Sequence, residues 1–110
     1  RRCKVVVADI REAPKLGKYH ETDFKTPTVE EVEKLGANGL SVQTDMSDAA
    51  AVKNLIERTV SEFDDLDILV NNAGIVIPGG IEETTVEDYD KVMGVNIRHS
   101  FFRLSLQCRI

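Results

Sequence analysis

Polar side chains close three short apolar segments of the sequence, and these residues are suited to hydrogen-bonding a ligand. The first segment ends in Asp9, the second in Asp45, and the third in Asn71 and Asn72. A carboxylate at a strand end can accept hydrogen bonds from two vicinal hydroxyls, as in a ribose diol. Because ligands bind outside the carboxyl ends of strands in open α/β sheets, the three ends together predict a ligand site.

Each of these residues also has a purely structural explanation. Asp9 serves equally well as the cap of a turn, and Asp45 is better explained as a cap because a helix begins just after it. The run Asn71-Asn72-Ala73-Gly74 alone is typical of an ordinary turn. Small residues after the asparagines would let a flat ring or a sugar approach the backbone. The alignment of all three strand ends favours the ligand interpretation.

Asn96 is the least expected residue of the last predicted helix. Its spacing from Val92, Met93 and Ser100 places it along the apolar face, where we expect it to be buried. A buried amide without a partner costs about 1–3 kcal/mol. A functional role would explain that cost, but an amide bonded to a neighbouring strand would explain it slightly better.

The hydrophobic pattern predicts three strands, near residues 4–9, 40–44 and 67–72. Such short apolar runs suit a parallel sheet that is covered on both faces. Alternation of strands with helices implies βαβ units and predicts an α/β fold, a partial Rossmann-like doubly wound sheet in one incomplete domain over residues 1–110.

Three helices are predicted between and after these strands. One runs from Ser47, as the cap, to Phe63, with apolar residues at three-and-four spacing. Another begins at Thr84, which forms a capping box with Glu87. A short helix extends from Thr28, boxed by Glu31, to Leu35, and Gly36 or Gly39 ends it; Glu12 to Pro27 forms an exposed loop.

Composition limits the class of protein. The chain has 110 residues, with 42% hydrophobic and 30% charged residues, which suits one small globular domain. The net charge of −5 argues against nucleic-acid binding. With no apolar run of about 20 residues and no leader pattern, we expect a cytoplasmic protein without a membrane partner. Cys3 and Cys108 suit reduced structural thiols, so neither a disulfide framework nor a metal site is expected.

Taken together, the motifs resemble those of the short-chain dehydrogenase/reductase family, over roughly Lys4 to Phe102. The block Asn71-Asn72-Ala73-Gly74 after an apolar strand is the most specific of them. The other matching blocks are Val5-Val6-Val7-Ala8-Asp9, Val42-Gln43-Thr44-Asp45-Met46-Ser47-Asp48 and Val92-Met93-Gly94-Val95-Asn96.

The resemblance implies a role for each matching position. Asp9 would hold the adenosine ribose and favour NAD over NADP, although Arg11 nearby could accept a 2′-phosphate. Asn96 would be the catalytic asparagine that holds a water in the proton relay. The remaining cofactor contacts implied are Ile10, Asp45, Met46, Asn72, Ala73 and Gly74.

The sequence departs from the family pattern at both ends. The glycines, at positions 17, 36, 39, 74, 79, 80 and 94, do not form the phosphate loop Thr-Gly-x3-Gly-x-Gly. Neither Tyr19 nor Tyr89 has a lysine four residues later, so the catalytic Tyr-x3-Lys pair is not in this sequence. We therefore expect an internal portion of a family member. Without the family's first strand, the strands ending at Asp9 and Asn72 would lie about 9–10 Å apart, and the chain would be marginally stable and bind NAD very weakly.

The resemblance predicts an NAD(P)-dependent oxidoreductase that transfers hydride between nicotinamide and an alcohol or carbonyl substrate, with this chain an incomplete, inactive portion. The last helix would be a subunit contact in a homo-oligomeric parent. The main alternative is a non-catalytic nucleotide-binding or interaction module. A flavodoxin-like signalling domain is disfavoured, because its paired acids after the first strand and its late lysine are not visible.

Overall fold

The computed structural model describes residues 2–11 and 26–101. The chain divides into two compact units, Arg1–Thr44 and Asp45–Ile110, and each is described by itself. The predicted loop from Glu12 lies mostly outside the described residues, as does Cys108.

The first unit is a βαβ arrangement. Strand β1 (Lys4–Asp9), helix α1 (Thr28–Lys34) and strand β2 (Asn38–Gln43) follow in this order. The two strands are parallel, and their register runs from Lys4 opposite Asn38 to Asp9 opposite Gln43. The predicted parallel α/β architecture is therefore confirmed, and the first two of the predicted strands pair with each other.

Helix α1 ends in a turn that requires glycine. Gly36 has a φ of 86°, its N–H donates to the Glu33 carbonyl at 2.9 Å, and the Ala37 N–H donates to the Val32 carbonyl at 3.3 Å. This is the Schellman pattern, so of the two predicted stop residues Gly36 ends the helix. The predicted box of Thr28 with Glu31 was wrong: the N-cap is Pro27, without a side-chain cap, and Thr28 is already helical.

Gly39 allows helix α1 to lie close against strand β2. A Cβ built at Gly39 would lie 2.6 Å from Val29 Cγ2 and 3.2 Å from the Val29 carbonyl oxygen. A Cβ only 2.6 Å from Val29 Cγ2 would force Val29 to move. The glycine therefore determines how closely α1 packs against β2.

The second unit is centred on helix α2 (Ala49–Phe63), which buries Val52, Leu55, Ile56 and Thr59. The apolar positions match the predicted three-and-four spacing. The predicted cap, Ser47, was wrong, because Asp48 is the N-cap and accepts a hydrogen bond from the Ala50 N–H at 2.8 Å. Ser47 instead donates to Asp45.

Residues 65–80 form neither helix nor strand, so the predicted third strand near 67–72 was wrong as a hydrogen-bonded element. The only sheet among the described residues has two strands, and neither pairs with this segment. Ile68 and Val70, which the prediction placed in a covered sheet, are 78% and 71% exposed. Apolar sequence alone does not make a strand, because the ladder needs a partner.

Helix α3 (Val86–Met93) continues into a π-helical segment, Gly94–Arg98. A capping box starts α3, with Thr85 Oγ1 accepting from the Asp88 N–H at 3.1 Å and the Asp88 carboxylate accepting from the Thr85 N–H at 3.4 Å. The predicted box, Thr84 with Glu87, was one residue early, since the Thr84 hydroxyl donates to the Gly80 carbonyl instead. Within the described ranges, no helix is long and apolar enough to cross a membrane.

Candidate functional site

Asp9, the last residue of β1, lies at the carboxyl end of the two-stranded sheet. Its Oδ1 accepts a hydrogen bond from the Arg11 N–H at 3.2 Å, which closes a turn over Ile10. Among the described residues, nothing donates to the second carboxylate oxygen. Asp9 therefore caps a turn, which is the structural role expected for it. One carboxylate oxygen and further lone pairs could still accept hydrogen bonds from a diol.

The same turn is tied to the end of β2. The Thr44 N–H donates to the Asp9 carbonyl at 2.8 Å, and Gln43 Nε2 donates to the Ile10 carbonyl at 3.1 Å. Ile10 itself is 55% exposed, although it is apolar. The described end of the sheet therefore presents a carboxylate beside an exposed apolar side chain.

Asp45, which opens the second unit, is held by Ser47. Its Oδ1 accepts from the Ser47 hydroxyl at 2.7 Å and from the Ser47 N–H at 2.8 Å. These two hydrogen bonds, the hydroxyl's first, lower the pKa of Asp45 below its ordinary value of 3.8. The carboxylate is exposed and stays ionised. It therefore holds Ser47 through Oδ1 and also presents a negative charge to solvent.

Of the other residues implied to contact a cofactor, Met46 is only 6% exposed, so its side chain packs within the protein. Asn72 and Gly74 are exposed and Ala73 is partly exposed. A Cβ built at Gly74 would lie 3.4 Å from Asn96 Oδ1. The Asn-Asn-Ala-Gly block and Asn96 are therefore neighbours, although 22 residues separate Gly74 from Asn96 in the sequence.

The side chain of Asn96 pairs with the backbone of Ile75 at two points. Its Oδ1 accepts from the Ile75 N–H at 2.8 Å, and its Nδ2 donates to the Ile75 carbonyl at 3.0 Å. The expectation that Asn96 is buried was wrong, since the residue is exposed. The structural explanation had the Asn96 amide bonded to a neighbouring strand. The observed partner is instead the backbone of Ile75, in the segment that follows the predicted third strand.

The position of Asn96 within the π-helical segment Gly94–Arg98 is also notable. Single π-helical turns within α-helices are frequent at functional sites, because the wider turn redirects side chains. Each amide atom of Asn96 uses one hydrogen bond on Ile75, which leaves one lone pair and one N–H for a water molecule.

Two contact residues and one cavity of the structure were not predicted from the sequence. Ile75 and Gln43 were not singled out, because an apolar residue acting through its backbone, and a glutamine ending a strand, carry no distinctive pattern. The cavity, of about 270 Å³, lies in the second unit beside α3 and the segment before it. Its lining includes Ile77, Pro78, Glu83, Asp88, Tyr89 and Met93.

The side chains that could bind a metal ion are not clustered in the part of the chain that the structure describes. No three His, Cys, Asp or Glu side chains there are grouped as a metal ion would need. Cys3, one of the two cysteines expected to be reduced, is a free and exposed thiol.

Comparison with known proteins defines the class. The family model described as short chain dehydrogenase matches residues 16–108, and the chain belongs to this family. The described fold, a parallel α/β arrangement with polar strand ends, agrees with that membership.

An uncharacterized oxidoreductase from Thermotoga maritima is 41% identical over 101 residues, covering 92% of this chain and 36% of the relative. A 2-dehydro-3-deoxy-D-gluconate 5-dehydrogenase from Dickeya dadantii is 43% identical over 75 residues, covering 68% of this chain and 30% of the relative. The chain thus spans about a third of the length of the curated relatives it matches.

A crystal structure of a short-chain dehydrogenase from Burkholderia cenocepacia in complex with NADP shares the fold. The TM-score is 0.70 at 37% identity, covering 74% of this chain and 33% of that one. The described elements therefore correspond to part of a Rossmann-type oxidoreductase domain.

Proposed function

We propose that this chain is an internal portion of an NAD(P)-dependent oxidoreductase that transfers hydride between nicotinamide and an alcohol or carbonyl substrate. The observation that carries the proposal is membership of the short-chain dehydrogenase family over residues 16–108. Relatives named as oxidoreductase and dehydrogenase support the reaction class.

Asp9 and Ile10 would hold the adenosine half of the cofactor. The carboxylate oxygen of Asp9 left by Arg11 suits a ribose diol, and the exposed Ile10 side chain suits contact with a flat base. The cofactor, when bound, supplies or accepts the hydride. A carboxylate repels a 2′-phosphate, which favours NAD, whereas Arg11 and the NADP-bound neighbour keep NADP as the alternative.

Asp45, Met46, Asn72, Ala73 and Gly74 are the further cofactor contacts that we propose from the family resemblance. Asp45 would contact the cofactor through its exposed carboxylate, and Met46, whose side chain is buried, through its backbone. The small side chains of the Asn-Ala-Gly run would let the cofactor lie close to the backbone. A Cβ at Gly74 would lie in ordinary van der Waals contact with Asn96 Oδ1, at 3.4 Å, and the glycine, without a side chain, would let a ligand approach the backbone closely.

Asn96 would hold a water molecule in the proton relay of the complete enzyme. The Ile75 backbone fixes the amide through two hydrogen bonds, which leaves one donor and one acceptor directed elsewhere. A fixed amide orients a water without reorganisation at the moment of proton transfer.

The complete protein would act on a small molecule, would assemble as a homo-oligomer and would reside in the cytoplasm. The exposed apolar side chains of the last helical stretch, Val86, Tyr89, Ile97 and Phe101, are consistent with a subunit contact. Neither nucleic acid nor membrane is proposed as a partner, because the net charge is −5 and the charges of both signs are interspersed.

A non-catalytic nucleotide-binding module is the second candidate. The observation that favours it is the Asp9 carboxylate, whose second oxygen has no donor among the described residues and could bind a nucleotide without any hydride transfer. In this case Asp9 and the Asn-Asn-Ala-Gly block would bind nucleotide or a protein without supporting hydride transfer.

The coding sequence around these residues separates the two candidates. A Gly-rich strand encoded upstream and a Tyr-x3-Lys pair downstream would support the oxidoreductase, whereas an in-frame stop directly after Ile110 would support the module. Cofactor binding is tested by Asp9→Asn, a neutral residue of the same shape. It should weaken binding of AMP roughly tenfold, since hydrogen bonds to charged groups are the stronger ones. Asp67→Asn, at another exposed carboxylate, is the control.

A further inference from the structure

The carbonyl of Ile10 is satisfied by a side chain of the neighbouring strand. The backbone ladder continues as far as the Thr44 N–H, which donates to the Asp9 carbonyl at 2.8 Å. One residue further along, Gln43 Nε2 donates to the Ile10 carbonyl at 3.1 Å. Gln43 therefore extends the pairing of β1 and β2 by one hydrogen bond after the sheet has ended.

This bond bears directly on the orientation of the Asp9 carboxylate. Asp9 lies opposite Gln43 in the register, and the Arg11 N–H donates to Asp9 Oδ1 at 3.2 Å. The Ile10 carbonyl and the Arg11 N–H belong to the same planar peptide group, so a bond that fixes the carbonyl also fixes the direction of the Arg11 N–H. With the Arg11 N–H held on Oδ1, the second oxygen of Asp9 has no donor among the described residues.

We propose that Gln43 is a positioning residue that determines nucleotide specificity at the Asp9 turn, an inference that rests on the proposed cofactor function. Gln43 holds the turn in the form in which Asp9 presents one oxygen to a ribose diol. In that form the fixed carboxylate also repels a phosphate on the 2′ oxygen. Without Gln43, the turn between Asp9 and Arg11 relaxes, and the preference for an unphosphorylated ribose falls.

A purely structural role for Gln43 predicts a different result. If the hydrogen bond only stabilised the turn, its loss would weaken every ligand of the turn to the same extent. A positioning role predicts that the ratio of two affinities changes, because only the ligand that uses the diol depends on the carboxylate direction.

The test compares AMP with adenosine 2′,5′-bisphosphate, which differs by a 2′-phosphate, in titrations of the ¹⁵N-labelled full chain followed by NMR. Gln43→Met keeps the length of the side chain but removes the donor, and Gln43→Glu removes the donor while keeping the shape. Both variants should bind AMP roughly three- to tenfold more weakly, with adenosine 2′,5′-bisphosphate unchanged or tighter in Gln43→Met. In the ligand-free variants, the Arg11 amide proton should also shift upfield.

Asn38→Leu is the matched control, since Asn38 is an exposed amide at the opposite end of β2. It should leave both affinities unchanged. Equal weakening of the two ligands, unchanged AMP binding, or loss of the folded state in both Gln43 variants would overturn the positioning role alone. Failure of the unsubstituted chain to bind AMP would instead overturn the proposed cofactor site.

Discussion

The Asn96 side chain and the Ile75 backbone form a reciprocal pair, with hydrogen bonds of 2.8 Å and 3.0 Å. The amide thereby imitates the two-way hydrogen bonding of paired residues in an antiparallel ladder. It joins the π-helical segment Gly94–Arg98 to the residue that directly follows Gly74. One side chain thus links the two parts of the second unit that the family resemblance assigns to the site.

Removal of this pair should increase local opening of the backbone at residue 75 more than in the rest of the second unit. Asn96→Ala loses both hydrogen bonds, so we expect the Ile75 amide to exchange with solvent deuterium about tenfold faster. Hydrogen exchange followed by NMR measures this directly. Asn54→Ala, at an exposed asparagine of α2, should leave the Ile75 exchange rate unchanged. An unaltered rate in Asn96→Ala would show that the pair does not hold the segment.

Gly39 should be intolerant of any side chain because of its contact with Val29. Gly39→Ala forces the new Cβ into Val29 Cγ2, and we expect it to lower the free energy of unfolding by about 1–3 kcal/mol. The measurement is urea denaturation followed by circular dichroism.

A double-mutant cycle identifies the cause. In a Val29→Ala background the colliding Cγ2 is absent, so Gly39→Ala should cost less there. Gly80→Ala is the control, since a Cβ at Gly80 meets nothing within 4 Å. An equal cost in both backgrounds would contradict the steric explanation.

Ser47 should control the titration of Asp45. The pKa of Asp45 lies below 3.8 when folded, so the carboxylate stabilises the folded state above that pH, and this stabilisation is lost as the pH falls through the lowered pKa. Ser47→Ala removes the hydroxyl, the larger cause, and should return the pKa towards 3.8. Carboxyl ¹³C titration measures the midpoint. Ser61→Ala is the control, and an unchanged midpoint in Ser47→Ala would contradict this origin of the shift.

The isolated chain should be only marginally stable. The described sheet has two strands, and Ile68 and Val70, which lie outside this sheet, are largely exposed. We expect a broad unfolding transition in urea with a small dependence on denaturant concentration. A sharp, cooperative transition detected identically by circular dichroism and by tyrosine fluorescence would contradict this expectation.

Much of the fold follows from the sequence because its determinants are local. The apolar spacing of α2, the strands ending at Asp9 and Gln43, and the stop at Gly36 each depend on a few neighbouring residues. The observed N-caps of α2 and α3, Asp48 and Thr85, each follow the predicted residue by one position. The predicted residues do not cap because the Ser47 hydroxyl donates to Asp45 and the Thr84 hydroxyl donates to the Gly80 carbonyl. Sequence propensity does not distinguish adjacent candidates for the same cap.

The site was only partly predictable, since its remaining contacts join residues distant in sequence. Nothing in the local pattern pairs Asn96 with Ile75, or Gln43 with Ile10, 33 residues apart. The prediction of a third strand was wrong for the same reason, because a ladder is a property of two segments, and residues 67–72 are not part of the described two-stranded sheet. The roles of Asp9, Asp45 and the Asn-Asn-Ala-Gly block in cofactor binding remain predictions.

The central claim is that this chain carries the adenosine-binding portion of a nicotinamide cofactor site. A titration of the ¹⁵N-labelled chain with NAD, followed residue by residue by NMR, tests it most directly. We predict weak, saturable binding whose largest shifts fall on Asp9, Ile10 and Arg11, and which Asp9→Asn weakens roughly tenfold. Absence of saturable shifts at these three residues, or shifts that persist unchanged in Asp9→Asn, would contradict the claim.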